Sequence, residues 1–262
     1  MTFLIFGDVM GRIGREAMKR CVPELRHTHK PDLVIANAEN LAHGAGISTK
    51  TIEEMRNAGV DVFTSGNHVF DNKEGMTLFG DPKMTERILR PDNYPPGAPG
   101  KGWTLLDVKG MPVLLVNLMG RVFFKPDFDD PFRAADRILA EHPAPIVLVD
   151  FHAEATSEKN TFSLYLDGRV TAIWGTHTHV PTADERILPK GTAYATDVGM
   201  TGGMNGSIGV KYEPVRDIFL HQCGVSFEPI ETGPCEVNAL LLTVKDGRAA
   251  RIERIRRIVD VA

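Results

Sequence analysis

The chain has 262 residues, 42% of them apolar, and a formal net charge of −4 at pH 7. This apolar content is ample for a packed core and excludes a disordered chain. The acidic balance argues against a broad electrostatic grip on nucleic-acid backbone, which needs an excess of Lys and Arg. Apolar runs stay below the roughly 18–20 residues that span a bilayer, so we expect no membrane partner. Three scattered cysteines indicate neither disulfides nor a cysteine zinc site, and favour a cytoplasmic location.

Short apolar runs predict buried strands, and segments with helical spacing lie between several of them. In chain order, we expect strands at residues 2–7, 32–37, 60–66, 112–118, 144–151 and 170–175, and helices at Gly14–His29, Ser48–Ala58 and Asp130–His142. Ser48 and Asp130 stand where helix N-caps are expected. A Lys-Asp-Gly turn signal predicts an antiparallel hairpin over residues 236–259. This order predicts a layered α/β fold and one domain, residues 1–262.

Residue types that bind metals fall at or just beyond the ends of these strands. They are Asp8, Glu39 with Asn40, Asn67 with His68, His152, and His177 with His179. Ligands of open α/β sheets bind at that edge, and such polar groups are costly to bury unpaired. Mixed nitrogen and oxygen donors without thiolate suit manganese, iron or zinc, and a bridging carboxylate can hold two ions. We therefore expect two divalent cations, with manganese or iron preferred and zinc as the third choice.

Each of these residues also has an ordinary structural interpretation when it is considered alone. Asp8 could cap the helix that follows, and Glu39 could be a solvated loop carboxylate. His68 and His152 could be satisfied core histidines. Their shared position at strand ends favours metal binding, with Glu39 as the bridging group, and leaves His68 free to act on a substrate.

The strongest local pattern is Gly-Thr-His-Thr-His, in which one residue separates His177 from His179. In an extended backbone both imidazoles would point the same way and address one site. In a turn the two histidines could instead bind two neighbouring ions. The structural alternative to metal binding is that both histidines lie in a surface loop. Asp150 and Glu154 flank His152 and could fix imidazole tautomers, or they could be solvated or capping carboxylates.

Two other features are left out of the expected site. The glycine-rich stretch 197–209 could approach a phosphate through backbone N–H groups, but it matches no named phosphate loop and is interpreted as a flexible loop. Arg12 and Arg15 could neutralise a phosphate, although exposed helix arginines are the commoner case.

The order of these motifs, over positions 8–179, resembles the calcineurin-like metallophosphoesterase superfamily. Two departures stand out, because Met10 occupies the place of a histidine ligand and Glu39 replaces a bridging aspartate. The chain looks most like the YmdB-like branch of that superfamily, in which the GDVMGRIGRE, NAEN, GNHVFDN and GTHTHVPTAD segments recur. This similarity extends over nearly the whole chain.

The resemblance implies a four-layer αββα sandwich and the hydrolysis of phosphodiesters, with 2′,3′-cyclic nucleotides as the substrate class. It also implies that Asn40 replaces the missing histidine ligand. One ion would then be held by Asp8, Glu39, Asn40 and His179, and the other by Glu39, Asn67, His152 and His177. His68 would remain uncoordinated.

Two ions about 3.5–4 Å apart lower the pKa of a bridging water toward about 7 and clamp phosphoryl oxygens. We therefore expect attack by a metal-held hydroxide, with His68 as the general acid for the leaving group, because imidazole changes protonation near neutral pH. A phosphomonoesterase or nucleotidase, a regulatory metal-binding protein that acts through a partner, and a dinuclear amidohydrolase or peptidase are the alternatives. A small phosphodiester or cyclic nucleotide is the expected substrate, with an RNA end as a further candidate. The sequence leaves the oligomeric state open, and homo-oligomers are common among soluble proteins.

Overall fold

The computed structural model describes residues 1–223 and 226–262. Its strands are β1 (Thr2–Asp8), β2 (Leu33–Asn37), β3 (Val62–Thr64), β4 (Trp103–Val108), β5 (Met111–Met119), β6 (Ile146–His152), β7 (Ala172–Thr176), β8 (Arg186–Ile187), β9 (Ala193–Ala195), β10 (Thr201–Gly203), β11 (Gly233–Lys245) and β12 (Arg248–Val261). Its helices are α1 (Gly11–His29), α2 (Thr49–Ala58), α3 (Lys73–Leu78), α4 (Pro82–Thr85), α5 (Pro131–Glu141), α6 (Thr156–Leu166) and α7 (Tyr212–His221).

One sheet contains β10, β11, β1, β2 and β3 in that order, with β12 paired to β11 as well. The strands β1, β2 and β3 are parallel, whereas β11 runs antiparallel to β1. Asp8 at the end of β1 lies in register with Asn37 at the end of β2. The carboxyl ends of these parallel strands therefore lie at the same edge of the sheet.

The second sheet has the order β4, β5, β6, β7, β9 and β8. The four strands from β5 through β9 along this order are parallel, and the outer strands β4 and β8 are antiparallel to their neighbours. His152, the last residue of β6, lies in register with Thr176, the last residue of β7. This register brings a second pair of strand ends together.

The two sheets pack face to face, with helices on the outer face of each. The layer between the sheets contains Phe3 and Ile5 of β1 together with Leu148 of β6 and Trp174 of β7, all nearly inaccessible to solvent. A second cluster packs α1 and α2 against the first sheet, and a third packs α5 and α6 against the second. The predicted α/β fold with a four-layer αββα arrangement is therefore confirmed.

Local sequence signals define several helix starts and the terminal hairpin. The side chain of Ser48 caps α2, and that of Asp130 caps α5 by accepting from the backbone N–H of Phe132 and Arg133. The helix α1 begins at Gly11, three residues before the predicted start. Asp246 and Gly247 have positive φ angles in the turn between β11 and β12, which confirms the predicted hairpin.

The interpretation of residues 197–209 as a flexible loop is wrong for its central part. Residues 201–203 form β10, which pairs with β11 and is buried. Close backbone approach to this stretch explains Gly7 of β1, since a Cβ atom added there would lie 1.9 Å from the carbonyl oxygen of Gly199. Within the described ranges, no helix is both long and apolar enough to cross a membrane.

Candidate metal centre

The predicted site residues come together where five parallel strands of the two sheets end. Asp8 and His152 are the last residues of β1 and β6, and the remaining residues lie in the turns that follow β2, β3 and β7. These turn residues are Glu39, Asn40, Asn67, His68, His177 and His179. Asp8, Glu39 and His152 are at most 1% exposed, so the solvated interpretation of Glu39 is wrong. Asp8 does not cap α1, whose N-cap residue is Met10.

Four donor atoms converge at the centre of this site. The Nε2 atom of His152 lies 3.2 Å from Glu39 Oε1, 3.1 Å from Asn67 Oδ1 and 3.1 Å from His177 Nδ1. Neighbouring ligand atoms that share an ion at about 2.1 Å lie roughly 3.0–3.4 Å apart. The ligand atoms of Glu39, His152 and His177 also lie within 4.8 Å of one another. This donor set therefore fits a divalent cation.

A second group of donors lies beside the first. Among the described residues, Asp8 Oδ1 and Asn40 Oδ1 are buried without a hydrogen-bond partner. The amide nitrogen of Asn40 donates to the carbonyl oxygen of Gly44, which leaves its oxygen as the free end. His179 donates from Nδ1 to the carbonyl oxygen of Ile208, which leaves Nε2 available. Because an unsatisfied buried polar atom costs about 1–3 kcal/mol, these orphaned oxygens also fit a bound cation.

The protonation of this cluster indicates a site that needs positive charge. Burial alone would raise the pKa of Glu39, but the charge and hydrogen bond of His152, with His68, lower it to about 2. Burial works against protonation of His152, yet Glu39, Asp8 and Asp150 raise its pKa to about 9. Such a buried cluster of carboxylates is stabilised by a cation, whether a proton or a metal ion.

The histidine His177 contrasts with His152. Burial first, and the charge of His152 second, lower the pKa of His177 to about 3. A neutral imidazole is the form that binds metals, so His177 is already in the state that coordination requires.

Hydrogen bonds behind the histidines fix their ring orientation. His152 Nδ1 lies 2.9 Å from Thr176 Oγ1, which in turn donates to Asp150 Oδ1 at 2.7 Å. Burial raises the pKa of Asp150 to about 7 despite its hydrogen bonds from threonine side chains. Glu154 Oε2 lies 3.0 Å from His177 Nε2. Both flanking carboxylates therefore act on imidazoles, Asp150 through Thr176 and Glu154 by direct contact.

The His-x-His segment forms a turn, so the extended alternative is wrong. His177 and His179 have φ angles of 98° and 65°, a left-handed conformation that is costly outside glycine. Their side chains therefore take different directions, with His177 at the first donor group and His179 at the second.

A buried ion pair supports this turn from behind. Asp197 accepts hydrogen bonds from Thr178 Oγ1 at 2.9 Å and from Lys159 Nζ at 2.7 Å. Lys159 also donates to the carbonyl oxygen of Thr176, and the side chains of Lys159 and Asp197 are both 1% exposed. Sequence reasoning missed this pair, because nothing near Lys159 in the chain marks it as buried.

His68 stands apart from the converging donors. Its side chain is 40% exposed, and its backbone N–H donates to Glu39 Oε2 at 3.0 Å. Its ring Nδ1 lies 2.7 Å from Asp71 Oδ2, which leaves Nε2 for other contacts. Asp71 was also missed, although its position three residues after His68 in GNHVFD is a usable signal.

Three residues near the start of α1 lie outside the donor groups. Met10, which occupies the place of the superfamily's histidine, is 4% exposed. Arg12 donates to the carbonyl oxygens of Glu231 and Ala262, and Arg15 pairs with Glu54. Both arginines therefore have partners outside the two donor groups.

Comparisons with known proteins agree with this geometry. A sequence model of the YmdB-like protein family matches residues 4–255. A protein of Bacillus subtilis (strain 168) named 2′,3′-cyclic-nucleotide 2′-phosphodiesterase is 44% identical over 259 residues, which cover 97% of this chain and 96% of that protein. The crystal structure of a hypothetical protein from Thermus thermophilus has a TM-score of 0.93 and 45% identity, and the match covers 98% of this chain and 99% of that one.

A more distant match concerns the fold alone. The crystal structure of the calcineurin-like phosphoesterase YfkN from Bacillus subtilis has a TM-score of 0.54 and 10% identity, over 99% of this chain and 90% of that one. This likeness places the two-sheet arrangement with outer helices among calcineurin-like folds. The chain therefore belongs to the YmdB-like protein family and has the fold of calcineurin-like phosphoesterases.

Proposed function

We propose that the protein is a dinuclear metal-dependent phosphodiesterase that hydrolyses 2′,3′-cyclic nucleotides. The observation that carries this proposal is the convergence of Glu39, Asn67 and His177 on the Nε2 atom of His152. The 44% identical Bacillus relative, named for that activity, supports the substrate class. The whole of residues 1–262 would act as one metallophosphoesterase domain, since the site takes residues from both sheets.

The proposed ligands divide into two sets that share Glu39. The first set is Asp8, Glu39, Asn40 and His179, and the second is Glu39, Asn67, His152 and His177. Nitrogen and oxygen donors without thiolate favour manganese or iron, with zinc as a third choice. When bound, two such ions supply an activated water and positive charge that clamps the phosphoryl oxygens.

The chain's own contribution to bond cleavage is assigned to His68. Its Nε2 would donate a proton to the departing ribose oxygen, while the contact between Nδ1 and Asp71 Oδ2 holds the ring in place. The backbone N–H of His68 is bound to Glu39, so the acid is placed beside a proposed bridging ligand. This contact ties the position of the proton donor to that of the metal centre.

The other interpretations define the outcomes of one experiment. Metal-stripped protein is assayed with 2′,3′-cyclic AMP, 3′,5′-cyclic AMP, bis(p-nitrophenyl) phosphate and p-nitrophenyl phosphate, before and after addition of manganese, with Glu39→Gln as the control. Manganese-dependent hydrolysis of the diesters that is lost in the control is the expected result. Hydrolysis of the monoester alone would indicate a phosphatase. Two bound metals without any hydrolysis would contradict the proposal and favour a regulatory protein or an amidohydrolase.

Further assignments follow from the same proposal. The substrate would be a small phosphodiester, with an RNA end as the larger candidate, and the enzyme would work in the cytoplasm. Association into a homo-oligomer is compatible with the fold and is tested by sedimentation.

A further inference from the structure

A pocket of about 490 Å³ lies against the proposed catalytic residues. Asn40, His68 and His179 line one part of it. Small-molecule sites in proteins typically measure roughly 300–1,000 Å³, so the pocket can take a ligand the size of a nucleotide. A phosphate bound at the metal centre would therefore place the rest of its molecule in this pocket.

A second part of the pocket is apolar and comes from α7 and the segment after it, while Met10, Gly44 and Val210 are among the residues that line the rest. The side chains of this second part are Val215, Ile218, Phe219, Phe227 and Pro229, which we call the apolar wall. The helix α7 has no buried residue, and Phe219 and Phe227 are 81% and 61% exposed. Exposed aromatic side chains at the rim of a polar site are typical of ligand-binding surfaces.

The charge of the pocket limits the size of its ligand. The described residues that line it include three histidines, His43, His68 and His179, but no Lys, Arg, Asp or Glu. A groove for a polynucleotide needs cations that follow successive phosphates, and aromatic side chains that stack on bases. The pocket has the aromatic side chains without the cations, which favours a single nucleotide over an RNA end.

We propose that the apolar wall binds the base of a mononucleotide substrate, with Phe219 as its stacking side chain. This inference rests on the proposed phosphodiesterase function and extends it to substrate selection. Stacking on an aromatic face tolerates any base, because every base has a π surface. The enzyme is therefore expected to discriminate weakly among cyclic nucleotides and strongly against cyclic phosphates without a base.

A second copy of this chain is the rival occupant of the apolar wall. The exposed residue Leu220 lies next to Phe219 on α7 but does not line the pocket, and it is 67% exposed. An interface between copies would use both side chains, whereas a bound base would contact Phe219 alone. Leu220→Ala is therefore a matched control for Phe219→Ala.

The test compares 2′,3′-cyclic AMP with a methyl riboside 2′,3′-cyclic phosphate, which lacks the base, in manganese-loaded protein. In Phe219→Ala, the ratio of kcat/KM for the nucleotide to that for the base-free compound should fall about 5- to 150-fold, corresponding to ~1–3 kcal/mol for base stacking. The same ratio in Leu220→Ala should stay within about twofold of the wild-type value, well below one tenfold step.

Adenosine tests base binding separately from catalysis, because it has no phosphate to bind the metals. Saturation-transfer NMR should show the adenine protons in contact with wild-type protein and Leu220→Ala, and a weaker signal with Phe219→Ala. Equal ratios and signals in the two variants would overturn the inference while the phosphodiesterase stands. Equal losses in both variants, with a dimer in sedimentation, would assign the apolar wall to a second copy. Wild-type protein that hydrolyses neither compound would overturn the proposed function and the inference together.

Discussion

Replacement of Thr176 by valine tests the hydrogen-bond chain that orients His152. The Thr176 hydroxyl accepts from His152 Nδ1 and donates to Asp150 Oδ1, so Thr176→Val leaves two buried polar atoms without a short hydrogen bond and also removes a longer contact from Asn37 Nδ2 at 3.4 Å. Each such atom costs about 1–3 kcal/mol, which predicts a loss of roughly 2–6 kcal/mol in the free energy of unfolding. Removal of a group that orients a metal-binding histidine typically lowers metal affinity about 10- to 100-fold, and we expect that loss here.

Thr171 provides a matched control, because it lies just before the other end of β7. Its hydroxyl accepts from the backbone N–H of Val147 and donates to the carbonyl oxygen of Gly247, so Thr171→Val also removes two hydrogen bonds. We expect a similar loss of stability in Thr171→Val without a change in metal affinity. Manganese affinity is measured by isothermal titration, and stability by urea denaturation of metal-free protein. Equal manganese affinity in the two variants would refute the reasoning.

Three further predictions concern the acid, the supporting ion pair and an acidic hydrogen-bond network. His68→Ala should lower kcat about 10²- to 10⁴-fold while both metals remain bound, whereas Glu39→Gln should lose metal and activity together. The metal content of each variant is measured by elemental analysis. Equal metal loss in the two variants would contradict the assignment of His68 as the acid and Glu39 as a metal ligand. Lys159→Met should lower the free energy of unfolding by about 3–5 kcal/mol, because it leaves the buried carboxylate of Asp197 without its counter-charge. The double variant Lys159→Met/Asp197→Asn should recover part of that loss, as measured by urea denaturation. Although burial opposes it, hydrogen bonds from two threonine side chains lower the pKa of Asp184. The stability that Asp184 contributes is therefore present above about pH 4 and lost as the pH falls below it, and Asp184→Asn should flatten the acid limb of the stability curve.

Much of the fold could be predicted because its signals are local. Ser48 and Asp130 cap their helices with their own side chains, and the Asp246-Gly247 turn needs only two residues with positive φ. The strand ends were also recognisable, because an apolar run followed by a polar residue marks the edge of a buried sheet. Asp8 and His152 are such residues, and both are fully buried at the site.

The supporting contacts could not be predicted because they join distant parts of the chain. Lys159 and Asp197 are 38 positions apart, and the ion pair between them depends on how α6 packs behind the turn. The direction of the two imidazoles in the His-x-His turn depends on positive φ angles at His177 and His179, which residue spacing alone does not encode. The contact between Asp71 and His68 is local, and a search at a spacing of three residues would have found it.

The position of β1 between β2 and β11 also affects how the protein is made. Asp8 is synthesised before His179, which completes the proposed ligand set, but β1 pairs on its other side with a strand that begins at Gly233. At roughly 5–20 residues per second, synthesis from His179 to Thr243 takes about 3–13 s. During that interval all the proposed ligands have been synthesised, while the edge of β1 that pairs with β11 is still unpaired. The sheet that carries Asp8 is therefore complete only once the C-terminal hairpin has formed, although this hairpin contributes no residue to the proposed ligand set.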